Sequence, residues 1–575
     1  MPYFAADYVI ERLMQQNVEA LFGVPAVYGA ALFAAAARAS TPARPFRTVV
    51  NSSDLESGYA ADGYARVRGL SAVSVSYGVG TLSLVNAVAG AYIERSPVVV
   101  LNGGPSQTNI DDQNRTGVLF SHSMGRPHSD MEAFAPFTAL CERADTEAAV
   151  PALIDRALTT ALTRKHPVYV EVPQAWWSRP CSPPAGTLDL SLPAGSADAA
   201  AQSVLQAIAA ASNPMVIVGV EIARYRLADT MLSILNRLNL PWATTVLSKS
   251  VLPEQHPKFL GVFNGERSPA ALKSKIQTSD LIIALGAVFG SGHASMMIPK
   301  FDKTIRIWDG ALVNRGGAPQ PMHTPPFVAA LDAAGIVRRP VGFVGRAPAA
   351  AEHFDEHGES AWDGDRGAEI ALAAAEPAAS PTPIATGLTY QELFDTLAEP
   401  AFWDTSLSLI ADTYLGIYPA ARMTMPAQNS FMADAIWASI GHSVAAAVGA
   451  AIPGEKRPVV VCGDGGFQMT GQALATMVRM RQNTIVIVVD NGLYGYEQYL
   501  LGRSYYNSQT EAPLPYAVLA PCDYEGFARA MGVGQVSGAD SVATLRTALA
   551  SAKAHSTGPS FIHALVKSRS LPPGL

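Results

Sequence analysis

The chain is poor in cysteine and has no long apolar run. Its 575 residues include only 4 cysteines, which are scattered and show no CxxC spacing. This scarcity argues against a disulfide framework or a structural zinc site, so we expect free thiols and a cytoplasmic protein. No apolar run reaches the ~18 residues needed to span a bilayer. The first residues carry acids and lack the apolar core of a signal peptide, so we expect neither a leader nor a membrane span.

Charge is also sparse, and neither sign dominates. Lys and Arg total 41 against 48 Asp and Glu, which leaves a net charge of −7. A strongly basic balance is typical of partners for nucleic acids or anionic membranes, so we expect neither partner. Apolar residues make up 49% of the chain, as in an ordinary globular protein. The length exceeds what one core accommodates, which indicates several domains.

Alternating helix and strand patterns predict an α/β fold with three domains, each a mostly parallel sheet flanked by helices. We place these domains at residues 1–185, 200–345 and 388–575. Residues 346–387 turn to Ala, Pro, Glu and Asp, a composition typical of an exposed linker. The middle domain has no GxGxxG motif after a strand, so we interpret it as a structural domain without a nucleotide.

The most informative stretch lies in the last domain. A β-branched strand ends in a GDG turn, a helix is predicted over 468–481, and a second strand over 484–489 leads to Asn491. The carboxyl ends of parallel strands meet at one edge of a sheet, where such folds bind ligands. Asp464 and Asn491 can therefore offer oxygen ligands to Mg²⁺, and the glycines leave room for phosphate groups.

This stretch resembles the cofactor motif of thiamine-diphosphate enzymes. Further segments resemble the pyruvate, indolepyruvate and branched-chain 2-oxo-acid decarboxylases: FGVPAVYGAAL (22–32), SDLESGYAADGYAR (53–66), VSYGVGTLSLVNAVAGAYIERSPVVVLNG (75–103), NPMVIVGVEIARYRLADTML (213–232) and FLGVFNGERS (259–268). The resemblance covers nearly the whole chain. It implies a pyrimidine-binding, a central and a diphosphate-binding domain, with thiamine diphosphate and Mg²⁺ as cofactors. It also implies a homodimer or homotetramer whose active sites lie between subunits.

The resemblance assigns the residues that contact the cofactor. Asp464, Asn491 and the backbone carbonyl of Leu493 would bind the metal, and Ile440 would hold the cofactor in its bent shape. Asp490 departs from the family, which has Asn at that place. The full set of implied cofactor-binding residues is Asp54, Ile440, Gly463, Asp464, Gly465, Gly466, Asn491, Leu493 and Tyr494.

The family needs a carboxyl group that hydrogen-bonds the aminopyrimidine ring and so promotes removal of the thiazolium C2 proton. The motif places Asp54 where the family has Glu, and Asp is one methylene shorter, about 1.5 Å of reach. Such a distance matters for proton transfer. Glu56 is the alternative acid, but its position suggests a solvated helix residue. Asp54 could also simply cap the helix that follows it.

Three further polar positions of the decarboxylases are only partly retained. Val27 replaces an acid, and Ser121-His122 replaces a His–His pair, so one imidazole survives. Glu497 matches the Glu that relays protons during loss of CO₂. His128 cannot be placed by the motif, and Tyr496 replaces an aliphatic residue that lines the substrate site. The resemblance therefore implies Asp54, Glu497, His122 and Ser121 as the catalytic set, with a thinned proton relay.

The decarboxylases end in a helix that covers the active site. Here the strand pattern at 561–566 is followed by SRSLPPGL, whose prolines and glycine cannot extend a helix. We expect this covering helix to be absent or replaced, which would leave a more open site.

The resemblance implies decarboxylation of a 2-oxo acid to an enamine, followed by protonation or by ligation to an aldehyde or ketone acceptor. The thinned relay favours ligation. An acetolactate-synthase-like carboligase or a C–C hydrolase is a close alternative, and a flavin-binding relative would be coloured. The alternative from another class is a cofactor-binding protein that has lost turnover, because Asp54 and Val27 both depart from the catalytic set.

Overall fold

The computed structural model describes residues 2–334, 383–573 and 575. The predicted linker, residues 346–387, lies almost entirely outside these ranges. Within them the chain forms three sheets of six strands each. The predicted three-domain α/β class is therefore confirmed, and the domain boundaries stay predictions.

The first domain contains a fully parallel sheet. Its strands are β1 (Ala20–Gly23), β2 (Arg47–Val50), β3 (Ser71–Ser74), β4 (Val98–Gly104), β5 (Cys141–Arg143) and β6 (Val168–Pro173). They are ordered β2-β1-β3-β4-β6-β5. Its helices are α1 (Ala5–Gln15), α2 (Ala30–Ala39), α3 (Asp54–Arg68), α4 (Thr81–Ile93), α5 (Gln107–Thr116), α6 (Ser129–Phe134) and α7 (Val150–Arg164).

Helix α3 positions the predicted acid, and its ends follow from the sequence. The Ser53 hydroxyl accepts a hydrogen bond from the Glu56 N–H, which caps the first turn. Gly69 ends the helix in the left-handed conformation, at φ 93°. Asp54 thus occupies the first helical position, directly after the loop from β2.

The middle domain contains a mixed sheet. Its strands are β7 (Pro214–Val218), β8 (Trp242–Thr245), β9 (Phe259–Phe263), β10 (Leu281–Leu285), β11 (Thr304–Trp308) and β12 (Ala311–Asn314). The order is β12-β11-β10-β7-β8-β9, and only the edge pair β11–β12 of this sheet is antiparallel in the described residues. Its helices are α8 (Ala197–Ala210), α9 (Val220–Arg224), α10 (Ala228–Leu238), α11 (Ala270–Thr278), α12 (Ala294–Met297) and α13 (Thr324–Ala333).

The last domain again contains a parallel sheet. Its strands are β13 (Leu407–Ala411), β14 (Phe431–Ala433), β15 (Arg457–Gly463), β16 (Ile485–Asp490), β17 (Gln535–Ala539) and β18 (Ser560–Leu565). They are ordered β14-β13-β15-β16-β18-β17. Its helices are α14 (Tyr390–Leu397), α15 (Ile417–Arg422), α16 (His442–Ala450), α17 (Asp464–Thr470), α18 (Ala473–Arg479), α19 (Gly495–Leu501), α20 (Ser504–Asn507), α21 (Tyr524–Ala530) and α22 (Val542–Ala554).

One element of the informative stretch was predicted wrongly. The single helix expected over 468–481 is two short helices, α17 and α18, and α17 begins earlier, at Asp464 itself. The break lies at Gly471, where an added Cβ would stand 2.8 Å from the Phe467 ring. Apolar spacing alone does not reveal such a turn.

Helices α3 and α16 join the first domain to the last. A Cβ on Gly63 would lie 2.1 Å from the Ala446 carbonyl oxygen, and one on Gly449 would lie 1.8 Å from that of Ala60. Only glycine permits this approach of the two backbones. Buried residues of both domains, from Ala5 to Phe561, form one continuous apolar core. The two domains are therefore packed as one unit.

Within the described ranges, no helix combines the length and the apolar character needed to cross a membrane.

Candidate active site

The predicted metal residues converge at the carboxyl ends of β15 and β16. Asp464 Oδ2 accepts hydrogen bonds from the backbone N–H groups of Asn491 at 3.0 Å and Gly492 at 2.8 Å. Its Oδ1 accepts from the Gly465 N–H at 2.8 Å. The Asn491 side-chain oxygen in turn accepts from the Leu493 N–H at 3.2 Å. The structure therefore brings Asp464, Asn491 and Leu493 together as the sequence predicts.

The charge at this turn suits a cation. Asp464 is buried, and burial together with the nearby Asp490 carboxylate holds the pKa of Asp464 well above its usual range. Asp490 itself lies 2.9 Å from His563 Nε2. A buried carboxylate without a positive partner is costly, and a divalent cation with oxygen ligands would remove that cost. In the described residues no cluster of three His, Cys, Asp or Glu offers a different kind of metal site.

Two of the predicted glycines lie in tight packing. A Cβ on Gly465 would lie 2.5 Å from the ring of Tyr494. A Cβ on Gly466 would lie 3.1 Å from the backbone nitrogen of Gly441, the neighbour of Ile440. The GDG turn thus lies next to the loop that carries Ile440, and the start of a helix is a place that favours phosphate groups. These features fit a diphosphate-bearing cofactor.

Asp412 is a site residue that the sequence analysis missed. It follows β13 directly, and its carboxylate accepts hydrogen bonds from the N–H groups of Gly441 and Ser443 and from the Ser443 hydroxyl at 2.6 Å. Asp412 thereby fixes the backbone that directly follows Ile440 in the chain. The available signal was an acid directly after the short apolar run of residues 407–411, the same kind of pattern that identified Asp464.

The C-terminal residues do not form a helix in the described part beyond β18, in line with the expectation from the prolines. Instead they pack against the metal turn. The buried Ser568 hydroxyl donates to the Asn491 carbonyl at 2.6 Å and accepts from the Ile384 N–H at 2.9 Å. The guanidinium of Arg569 donates to the carbonyls of Tyr505 and Ser508. This segment therefore braces the turn that carries Asn491.

Asp54 lies at the start of α3, against a tight turn. A Cβ on Gly80 would stand 3.0 Å from Asp54 Oδ1. Partial burial raises the pKa of the Asp54 carboxyl above its ordinary value. A raised pKa lets a carboxyl hold a proton closer to neutral pH, which suits an acid that exchanges protons.

Glu56 is not the solvated residue expected from its position. Its side chain is fully buried, Oε2 accepts from the Ser52 N–H at 3.1 Å, and Oε1 has no partner in the described residues. Burial raises the pKa of Glu56 to about 7. The helix pattern failed here because a polar side chain folds back to cap its own helix and is then covered by neighbouring elements.

Glu56 gives a stability prediction. Because its native pKa is raised to about 7 from an ordinary value of 4.5, the native state holds this proton where the unfolded state has lost it. The free energy of unfolding should therefore fall as pH rises from about 4.5 to about 7, by about 3 kcal/mol at most. Glu56→Gln should remove this slope in thermal melts across that range. An unchanged slope in the variant would contradict the assignment.

The predicted site residues Ser121, His122 and Val27 lie in connecting segments near Asp54. Tyr28 donates its hydroxyl to the Ser121 carbonyl at 2.9 Å, and a Cβ on Gly78 would lie 2.5 Å from the His122 carbonyl oxygen. Ser121 and His122 are exposed, and the exposed fraction of Val27 is 72%. The structure therefore places His122 next to the turn against which Asp54 lies.

His128 and Glu497 have different surroundings. His128 precedes α6, and burial, followed by the charge of Arg143, lowers the pKa of its imidazole. Glu497 is exposed in the first turn of α19, six residues beyond the metal turn. The site residues of one chain form two groups: Asp54 with His122 (the Asp54 group), and Glu497 with the metal turn (the Asp464 group). In the described part of the chain no hydrogen bond joins these two groups.

The strand order of the middle domain reverses between β7 and β10, and the backbone is closely packed at this point. A Cβ on Gly219 would lie 2.0 Å from the Gly286 carbonyl. The buried Glu221 carboxylate fills the same place and accepts from the Asp309 N–H at 2.8 Å and the Thr324 hydroxyl at 2.7 Å. The interpretation of this domain as structural, without a nucleotide, stays a prediction.

Comparison with known proteins agrees with this geometry. Models of the N-terminal TPP binding domain, the central domain and the C-terminal TPP binding domain of thiamine pyrophosphate enzymes match residues 4–125, 201–309 and 416–564. Thiamine pyrophosphate is the same compound as thiamine diphosphate. The cofactor predicted from the GDG turn is thus the one bound by the matching domain families.

Curated relatives extend over nearly the whole chain. A pyruvate decarboxylase of Aspergillus fumigatus is 28% identical over 545 residues, which cover 92% of this chain and 89% of the relative. An alpha-keto-acid decarboxylase of Mycobacterium tuberculosis is 29% identical over 568 residues, or 95% and 92% of the two chains. A protein of the same name from Mycolicibacterium paratuberculosis is 29% identical over 515 residues, or 87% and 84%. With one domain model matching part of each of its three domains, the chain belongs to the thiamine pyrophosphate enzymes.

Proposed function

We propose that this protein is a Mg²⁺- and thiamine-diphosphate-dependent 2-oxo-acid decarboxylase whose product branch includes ligation to an aldehyde or ketone acceptor. The observation that carries the proposal is the buried Asp464 carboxylate, which is hydrogen-bonded to the Asn491 turn and pairs with no Lys, Arg or His among the described residues. The names of the relatives, pyruvate decarboxylase and alpha-keto-acid decarboxylase, support the reaction class.

The residues divide between holding the cofactor and handling protons. Asp464, the Asn491 side chain and the Leu493 carbonyl would hold the metal, and Gly463, Gly465, Gly466 and Tyr494 would lie along the diphosphate. When bound, thiamine diphosphate supplies the electron sink that makes loss of CO₂ from a 2-oxo acid feasible. Ile440 would set the shape in which it is bound.

The proton handling rests on two carboxyl groups. The Asp54 carboxyl, with its raised pKa, would hold a proton for the aminopyrimidine ring. The Glu497 carboxyl would donate the proton that completes aldehyde release. Val27 offers no proton donor at a position where the family has an acid. The hydroxyl of the exposed Ser121 is a much weaker acid than the imidazolium of a histidine. With few proton donors in the site, a second carbonyl compound would compete with a proton for the enamine intermediate.

Assembly and location complete the proposal. A second subunit would place the Asp54 group of one chain against the Asp464 group of the other, in a homodimer or homotetramer. Large apolar side chains are exposed on the segments that surround both groups and would be covered by such contact: Val27, Val79, Val118, Leu119, Met124, Met469, Leu500 and Leu501. Four free cysteines support a reducing, cytoplasmic location.

The proposal is tested by following CO₂ release over a panel of 2-oxo acids, with and without carbonyl acceptors. CO₂ with a chiral ligated product would support the whole proposal, and free aldehyde alone would remove its ligation half. Ligated product without aldehyde would favour the acetolactate-synthase-like alternative, and acids from a C–C bond cleavage would favour the hydrolase. Tight cofactor binding without any turnover would favour the binding protein that has lost catalysis.

Glu497→Gln provides a sharper prediction within this assay. Aldehyde release should fall about 100-fold, the lower end for loss of a general acid. The share of ligated product should rise, because the competing proton donor is gone. The matched control is Asp229→Asn, which removes an exposed acid from the first turn of α10 in the middle domain. Equal losses in both variants would contradict the role of Glu497.

A further inference from the structure

The loop that carries Ile440, residues 434–441 (the Ile440 loop), is held by the first domain of the same chain. Glu94 Oε1 accepts hydrogen bonds from the backbone N–H groups of Ile436 at 2.6 Å and Trp437 at 3.3 Å. Glu94 is fully buried at the end of α4. A residue of the first domain thus fixes the backbone of a loop in the last domain.

Side chains of α3 and α4 hold the middle of the same loop. Asn86 accepts from Trp437 Nε1 at 2.7 Å and donates to Ser439 Oγ at 3.0 Å. The Tyr59 hydroxyl lies 2.6 Å from the same Oγ. The Trp437 ring packs on Gly90, where an added Cβ would stand 2.9 Å from Cδ1. The ring and backbone of the loop are therefore both fitted to the first domain.

Buried ion pairs anchor the two ends of the loop. Arg66 pairs with Glu94 Oε2 at 2.8 Å and with Asp62 at 2.8 Å, and it donates to the Ala433 carbonyl at 3.0 Å. Asp62 also lies 2.7 Å from His442 Nε2, just beyond the loop. Charges this deeply buried are stable only with their partners in place, so the network tolerates little displacement of the loop.

The loop needs such support because its backbone is unusual. Ala438 has φ 62° and Gly441 has φ 88°, both in the left-handed region. A residue with a side chain is disfavoured there, so Ala438 keeps this conformation only when surrounding contacts impose it. The contacts of Glu94 and Asn86 lie on either side of Ala438 and supply that constraint.

We propose that Glu94 and Asn86 are positioning residues for thiamine diphosphate, which act by fixing the Ile440 loop. The inference rests on the proposed function, since Ile440 is its contact to the cofactor. Helix α3 then serves two sites. Its first residue, Asp54, is the acid for one cofactor, and its Tyr59 and Asp62 help to shape the loop that holds another.

The test measures the dissociation constant of thiamine diphosphate, with saturating Mg²⁺, by quenching of tryptophan fluorescence in the full-length protein. Glu94→Gln keeps the size of the side chain but removes the charge that pairs with Arg66, and we expect an increase of about tenfold or more, as for other residues that orient a ligand-binding group. Asn86→Ala, at an exposed position, should raise it about fivefold, the factor that one net hydrogen bond is worth.

The matched control is Glu254→Gln. Glu254 is also buried, pairs with Lys249 at 2.7 Å and accepts from the Met425 N–H at 2.8 Å, but in the described residues no hydrogen bond or ion pair joins it to the Ile440 loop. We expect it to lower the melting temperature of the cofactor-free protein and to leave the dissociation constant unchanged.

Dissociation constants within twofold of the wild type in both Glu94→Gln and Asn86→Ala would overturn the inference. So would an equal increase in Glu254→Gln. If Glu94→Gln does not fold, Asn86→Ala decides alone. Failure of the wild-type protein to bind thiamine diphosphate would instead refute the proposed function, so the two failures are distinguishable.

Discussion

Asp464→Asn is expected to weaken Mg²⁺-dependent binding of thiamine diphosphate by at least ~100-fold, because a direct ligand should matter more than the residues that orient ligands. The same change should alter the stability of the cofactor-free protein much less than it alters cofactor binding, because two opposing effects act on it. Burial and Asp490 hold the pKa of Asp464 well above its usual range, so its charged form is costly at neutral pH without a cation. Asparagine removes that charge, but its amide nitrogen cannot accept the backbone N–H bonds that one of the two carboxylate oxygens accepts, so the two effects oppose each other.

The measurement is a pair of melting curves, with and without Mg²⁺ and the cofactor. Ligand at 100 times its dissociation constant should stabilise the wild type by about 2.7 kcal/mol, and this gain should vanish in Asp464→Asn. Asp280→Asn is the matched control, since Asp280 also accepts two backbone N–H bonds, from Ser212 and Asn213, but lies in the middle domain. A cofactor-induced rise in melting temperature that persists in Asp464→Asn would contradict the metal site.

Asp54→Asn is expected to slow exchange of the cofactor's C2 proton by ~100- to 10,000-fold, the range for loss of a positioned acid or base. Its carboxyl lies against Gly80 and has a raised pKa, and an amide cannot exchange that proton. Cofactor affinity should change little, because Asp54 would contact only the pyrimidine ring. Hydrogen–deuterium exchange of the bound cofactor, followed by NMR after acid quench, measures this rate directly.

Two further variants separate reach from identity of the acid. Asp54→Glu adds one methylene, about 1.5 Å of reach, and should keep or increase the exchange rate if the shorter acid limits it. Glu56→Gln should leave the rate unchanged, because the Glu56 carboxyl caps Ser52 inside its own domain. Loss of exchange in Glu56→Gln but not in Asp54→Asn would assign the role to Glu56 instead.

Much of the fold was predictable because strand patterns and glycine turns are local signals. The approach of Asp464 to Asn491 was predictable for the same reason, since neighbouring parallel strands bring their carboxyl ends to one edge. The burial of Glu56 and the contacts of Glu94 were not predictable in this way. Asp62 and His442, for example, are 380 residues apart, and no periodicity along the chain reports such a contact.

The joint core of the first and last domains has a consequence for synthesis of the protein. Helix α3 leaves the ribosome about 20 to 80 s before α16, given 380 intervening residues and 5–20 residues per second. Until then the closely packed surface around Gly63 has no partner. The nascent first domain must therefore persist with apolar surface exposed to water, at risk of aggregation. We expect chaperone supply during translation to limit the yield of this enzyme more than the stability of its finished fold.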